Sequence, residues 1–309
     1  MTEPVRRRPR KRHRFPKFKN WLTLTAIRFG AMLSLASAQR IGRLLGWLLY
    51  KVNNTNRRVA RINIARCLPE KTPAEQERLV KACLSHLGMC TMESGPAWLW
   101  PIERVRALIV DVSGEALFHQ AVADGKGIII AGPHMGNWEV MATWIAARLP
   151  MTGLYRPAKM SSLDDLVKTA RERLPVEMAP ADQTGVKQLL QALRNGRAVY
   201  ALADHEPSRG VGVFAPFFND LAYTGNLVPK LAQRTGATVL MCCTERLPRA
   251  AGFRLHFRPG PVFNQNDDDV QTAAALNAAL ADLIREFPEQ FLWNYKRYRT
   301  RPEGEQRPY

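Results

Sequence analysis

The chain has 309 residues, 46% of them hydrophobic, and carries 45 Lys and Arg against 27 Asp and Glu, a net charge of +18. That length and apolar content suit a well-buried core and exclude a largely disordered chain or a many-span membrane protein. The positive excess selects anionic partners: nucleic acid, anionic lipid headgroups or an acidic protein.

Residues 1–19 hold nine of the cations against Glu3 alone, which is +8 of the total, and read as a basic disordered arm. Residues 20–52 read as a membrane-associating helical region. Trp21 to Ala38 is mostly apolar but interrupted by Arg28, and Arg40 and Arg43 precede a second apolar patch, Leu44–Tyr50. A secretory signal needs a short basic start and a clean apolar core, and neither is present. Eighteen residues barely cross a hydrocarbon layer of roughly 30 Å, so a short span and a helix lying in the interface both fit. The basic arm beside a Trp-led apolar stretch favours an anionic membrane over nucleic acid.

The rest, 53–309, reads as one α/β unit whose first part, 53–100, is a helical lead-in. Thr72, Pro73 and Glu75 make a capping box that opens a helix running to about Trp98. Beyond Pro101 the predicted strands are Val105–Val110, Gly127–Ala131, Met151–Tyr155, Ala198–Ala203, Thr238–Cys243 and Phe253–Phe257. The predicted helices are Gly114–Ala123, Trp138–Leu149, Ser162–Arg173, Gly185–Asn195, Gly225–Thr235 and Val270–Glu286. This alternation predicts a mixed, mostly parallel sheet flanked by helices. The five cysteines, Cys67, Cys83, Cys90, Cys242 and Cys243, are odd in number and lack C-x-x-C spacing, so they read as free core thiols.

The segment Gly132-Pro-His-Met-Gly-Asn-Trp-Glu139 closes the apolar run 127–131 and opens the next helix. It sets His134 and Glu139 in the spacing His-x4-Glu at a strand-to-helix junction, where α/β proteins place ligands. On one continuous helix the two would diverge by about 140°. They meet only if His134 lies in the turn and Glu139 in the first helical turn. His134 is then a candidate general base and Glu139 the carboxylate that orients it. No Gly-x-Ser-x-Gly elbow occurs, and no Ser or Cys lies within the segment. The base is therefore expected to deprotonate a bound hydroxyl directly, without an acyl-enzyme. Arg156 ends the next strand, where it suits a phosphate or, equally, a solvated surface cation. Asp204 follows another strand, where it either orients a group on the same rim or caps the loop. In that loop Phe214, Phe217 and Phe218 suit a lid or an acyl-chain surface, or equally a loop folded over the core.

In their order these segments resemble the lipid A late acyltransferases, the lauroyl and myristoyl transferases within the acyltransferases that carry a His-x4-Asp/Glu motif. The resemblance runs from about residue 20 to the C-terminus. It rests on 132–139 together with Tyr155-Arg156-Pro157, Leu163-Asp164, Asp204-His-Glu-Pro207, Gly212–Phe218, Leu231–Ala237, Pro288–Trp293 and Arg301–Gly304. His205 stands where the family often has Gln, and Asn294-Tyr295 departs from its more usual residues. The resemblance implies a glycerolipid-acyltransferase-like fold at the cytoplasmic face of the inner membrane. It implies an acyl-acyl carrier protein donor and, as acceptor, a hydroxyl of an anionic lipid A precursor. His134 and Glu139 would be catalytic, Asn137 a donor to the oxyanion, and Asn137, Arg156, Asp204 and Arg209 substrate-binding. No metal or resident cofactor is expected, since the pantetheine arrives with the donor. A lysophospholipid or amino-acid lipid acceptor, and a lipid hydrolase, are the alternatives left open.

Overall fold

The run Ile128–Gly132 is buried along its whole length because strands pair with it on both edges and helices cover both faces. In the computed structural model, which describes residues 17–155 and 161–309, this run is the centre of the sheet. The helical lead-in comprises α1 (Lys17–Met32), α2 (Leu35–Lys51), α3 (Thr55–Cys67), α4 (Pro73–Leu99) and the short α5 (Ile102–Arg106). There follow β1 (Ile109–Ser113), α6 (Glu115–Ala123), β2 (Ile128–Gly132), α7 (Trp138–Ala146) and β3 (Met151–Tyr155). Next are α8 (Ser161–Glu172), β4 (Val176–Pro180), α9 (Gln183–Arg194) and β5 (Ala198–Leu202). A hairpin of β6 (Gly212–Phe217) and β7 (Asp220–Gly225) then leads to α10 (Leu227–Thr235), β8 (Thr238–Arg246), β9 (Phe253–Pro259) and α11 (Asp269–Glu286).

Among the described residues the main sheet has the order β1-β9-β8-β2-β5-β3-β4. Its pairs are parallel except β8 with β9. The alternation of β2 divides the core. Ile129 and Ala131 face Ile64, Leu84, Leu193, Leu231 and Leu280, while Ile128 and Ile130 face Phe118, Met141, Trp144 and Phe257.

The capping box at Thr72 forms as its residues require, and all five cysteines are free thiols. Several expectations are corrected. The strand expected over Val105–Val110 is instead α5 followed by β1, which starts at Ile109 and pairs on one side only, with β9. The apolar stretch Trp21–Ala38 is not one helix: it breaks after Met32, and the Ser34 side chain caps α2 by accepting from the Ser37 amide. Helix α1 already begins at Lys17, inside the expected arm, and residues 1–16 lie outside the described residues. No helix among the described residues is long and apolar enough to cross a membrane.

Helices α1 and α2 dock on α4 through glycines. A Cβ at Gly42 or Gly46 would overlap the α4 backbone, and one at Gly88 would overlap the carbonyl of Gly42. The backbones therefore touch directly, as small-residue helix interfaces permit. The opposite face of α2 leaves Leu44, Leu45, Trp47 and Leu48 exposed, alongside Trp21, Phe29 and Met32 of α1. Of the loop phenylalanines, Phe217 is a fully buried core residue, Phe218 is partly buried on Trp293, and Phe214 is partly buried on Tyr223. A Phe in water is costly, and the β6–β7 hairpin lowers that cost by burying one ring and partly covering the other two.

Candidate functional site

Strand register decides the partner of His134. Gly132, the last residue of β2, pairs with Leu202, the last residue of β5. Two residues beyond each strand end, His134 and Asp204 are therefore neighbours, and Asp204 Oδ1 lies 2.7 Å from His134 Nδ1. Asp204 is 2% exposed. Burial alone would raise its pKa, but the adjacent His134 ring and its hydrogen bond prevail and hold the carboxyl at about 2. The carboxylate is thus ionised and acceptor-only, which puts the proton of the shared bond on Nδ1 and leaves Nε2 as the basic nitrogen.

Glu139, expected to orient His134, sits in the first turn of α7 and is engaged elsewhere. Its Oε1 is 2.6 Å from Arg171 Nη2 of α8, and its Oε2 is 3.4 Å from Arg171 Nε. Burial disfavours the charge on Arg171, yet Glu139 outweighs it and the guanidinium pKa is raised. Asn137 is likewise engaged within the fold and does not line the cavity beside His134. Its side chain caps α7 by accepting from the Val140 amide, and its Nδ2 donates to the buried Glu93. Asp204 is buried against His134, so of the choice between orienting a rim group and capping the loop its hydrogen bond is to the rim group. Arg209 is exposed on the loop after β5, and Arg156 lies outside the described residues.

Around His134 the rings are stacked. His205 lies parallel to His134 with centroids 3.8 Å apart, and Tyr295 lies parallel to His205 at 3.7 Å. The Glu206 amide donates to the Tyr295 hydroxyl at 3.0 Å, fixing that ring. Burial, opposed by Asp204 and reinforced by His134 and Arg297, pushes His205 down to about 4, so it is a neutral spacer. His134, Asp204 and His205 place one ligand atom each within 4.8 Å of one another. Parallel stacked imidazoles, however, direct their lone pairs side by side, and Asp204 occupies Nδ1, so these groups do not converge on a common point as tetrahedral ligation needs.

A cavity of about 1420 Å³ opens beside this imidazole, and His134, Trp138, Glu139, Arg171, Tyr200 and His205 all line it. Its wall continues over Ala142, Met151, Leu174 and Val176, apolar surface of the kind a fatty chain covers. Sequence reasoning missed Arg171 and Tyr295. Arg171 sits on a charged amphipathic helix with no local mark, and Tyr295 had registered only as a departure from a family pattern.

Against known proteins, the sequence profile described as bacterial lipid A biosynthesis acyltransferase matches residues 8–300. The chain is 30% identical over 285 residues, 92% of each chain, to the lipid A biosynthesis lauroyltransferase of Escherichia coli (strain K12). It is 32% identical over 248 residues, 80% of each chain, to the palmitoleoyltransferase of lipid A biosynthesis from the same organism. It is also 31% identical over 166 residues to the phosphatidylinositol mannoside acyltransferase of Mycobacterium tuberculosis (strain CDC 1551 / Oshkosh), covering 52% of this chain and 50% of that one. A profile match across nearly the whole chain, joined to relatives at this identity and coverage, shows that the chain belongs to the bacterial lipid A biosynthesis acyltransferase family.

Proposed function

We propose that this acyltransferase moves a fatty acyl group from acyl-acyl carrier protein to a hydroxyl of a lipid A precursor, with His134 as the base. The observation that carries the reading is the bond from His134 Nδ1 to ionised Asp204, which leaves Nε2 basic beside a cavity with apolar walls. Nε2 takes the proton of the acceptor hydroxyl as that oxygen attacks the thioester carbonyl carbon. The tetrahedral intermediate then collapses, the C–S bond breaks, and the imidazolium returns the proton to the departing pantetheine thiolate. Asp204 stabilises the imidazolium meanwhile, so no enzyme nucleophile is required. Arg171, held by Glu139, supplies positive charge from the cavity wall to the carbonyl oxygen as negative charge develops there. Glu139 is thus a positioning residue that acts through Arg171 and not through the imidazole.

The family's lipid chemistry, the net positive charge and the exposed apolar face of α1 and α2 support a position at the cytoplasmic face of the inner membrane, with that face lying in the interface. The carrier protein and the lipid phosphates are both anionic, in keeping with a net charge of +18. Neither a metal nor a nucleic acid enters this reading.

The test is transfer from acyl-acyl carrier protein to a lipid A precursor in detergent micelles, with thermal melting as the folding control. His134→Ala is expected to abolish transfer, and Asp204→Asn to lower kcat by about a hundredfold or more, with both proteins folded. Near wild-type transfer by His134→Ala would overturn the mechanism. Mass spectrometry of lipid A from cells with and without the protein tests the acceptor: an acyl chain is expected to be missing. Unchanged lipid A with another glycolipid or a phospholipid altered would reject it.

A further inference from the structure

Behind the turn that carries the base lies a polar network sealed from water. Glu93 of α4 is 1% exposed, Gln39 of α2 1%, Asn137 3% and Arg246, at the end of β8, 5%. Arg246 forks onto Glu93, with Nη2 2.6 Å from Oε2 and Nε 2.7 Å from Oε1. The same Nη2 donates to the carbonyl of Gly136 at 3.1 Å, and Asn137 Nδ2 donates to Glu93 Oε2 at 3.2 Å. Gln39 Nε2 reaches in from α2 to Glu93 Oε1 at 2.8 Å, and Nη1 of Arg246 meets His86 Nδ1 at 2.6 Å. Gln290 clamps the Arg246 backbone from both sides, accepting from its amide at 2.7 Å and donating to its carbonyl at 3.1 Å. The neighbouring chain also holds the turn, since the Leu292 amide donates to the carbonyl of His134 at 3.3 Å.

Thermodynamic stability by itself is weak grounds for such an arrangement. Two charges taken out of water recover their desolvation cost only partly, and apolar residues of similar volume are often as stable or more so. What the network does have is placement. Gly136 and Asn137 are two of the four residues between His134 and Glu139, and Glu93 with Arg246 holds both. Gly136 adopts φ +60°, and a Cβ there would overlap the carbonyl of Thr244, so the turn is pressed against the end of β8, two residues before Arg246. Such a turn has few ways to relax that leave the base in place.

We infer that Glu93 and Arg246 are positioning residues for the reaction: through Gly136 and Asn137 they fix the distance and angle between His134 and the Glu139–Arg171 pair. The inference rests on His134 being the base. Bond making and breaking need reacting groups aligned within fractions of an ångström, so a small rotation of this turn lowers kcat without changing substrate affinity. Gln39 extends the same hold to α2.

The full-length protein in detergent tests this through Arg246→Lys, which keeps the charge but loses the fork. Asn137→Ser serves as a second variant: it keeps a capping hydroxyl for α7 but is too short to reach Glu93. Both are assayed well below their melting temperatures with His134→Ala as control. Expected are a fall in kcat of about tenfold to a hundredfold, KM for donor and acceptor within threefold of wild type, and the smaller loss for Asn137→Ser. A simple structural role predicts that activity tracks the folded fraction, so recovery of wild-type kcat on cooling would overturn the inference. Wild-type kcat in a folded Asn137→Ser protein would overturn it as well, even if Arg246→Lys does not fold. An active His134→Ala would instead reject the base reading beneath it.

Discussion

At His134 the chemistry turns on which ring nitrogen keeps its proton, and a carboxylate remote in sequence settles that. His-x4-Glu spacing made the pair legible, and the strand-to-helix junction is where it was expected. The acid on Nδ1 is nevertheless Asp204, because parallel pairing of β2 with β5 brings residues 134 and 204 together and no local spacing encodes that register. His205 gives this scale its prediction. The unfolded chain binds a proton there near 6.5, whereas the folded chain holds out to about 4, chiefly through burial. Its depressed folded value means that the associated stability is whole above about pH 6.5 and is lost as pH falls toward 4. At pH 5 the loss is about 1–2 kcal/mol by linkage. His205→Gln removes that titration. Melting temperatures at pH 7 and pH 5 should therefore fall less in the variant than in wild type, and equal falls would contradict the assignment. His86, pushed down to about 3 mainly by burial, keeps some acid sensitivity in both proteins.

Among the elements, the clearest physical choice is the glycine contact between α2 and α4. At an exposed helix position Gly→Ala stabilises by about 1 kcal/mol. At Gly88 the new methyl would meet the backbone of Gly42 and Gly46, so Gly88→Ala is predicted to destabilise by about 1–3 kcal/mol instead. Chemical denaturation reads the sign directly, and a stabilised variant would show that the two backbones are not in contact. Elements with a local signal were legible: the capping box of α4, the continuous apolar run of β2 and the long amphipathic α11. Those whose stability comes from neighbours were not. Strand β4 reads Val-Glu-Met-Ala-Pro, a weak pattern on a sheet edge, and β6 contains Gly212 and Pro216. Both exist because a partner strand is there to pair with them.

For the whole molecule, the open matter was whether the N-terminal apolar residues span or lie flat. A glycine-packed face on α4 and an exposed row of Leu44, Leu45, Trp47 and Leu48 leave α2 one unpacked apolar surface. With the neighbouring cations, that surface suits an anionic interface. Replacing Leu44, Trp47 and Leu48 by Glu is predicted to reduce binding to vesicles containing anionic lipid by tenfold or more while leaving the melting temperature unchanged. Undiminished sedimentation with such vesicles would refute the in-plane placement. The α/β alternation, the family and the strand-to-helix turn at His134 were legible in the linear chain, because these depend on periodicity, turn residues and ordered motifs close together in it. Folding of the whole chain, by contrast, puts Asp204 on the His134 imidazole, Glu139 on Arg171, Phe217 in the core, and Glu93 and Arg246 against the turn after His134. Those outcomes depend on strand register and burial across as many as 153 positions of chain, from Glu93 to Arg246, distances at which residue spacing carries no information.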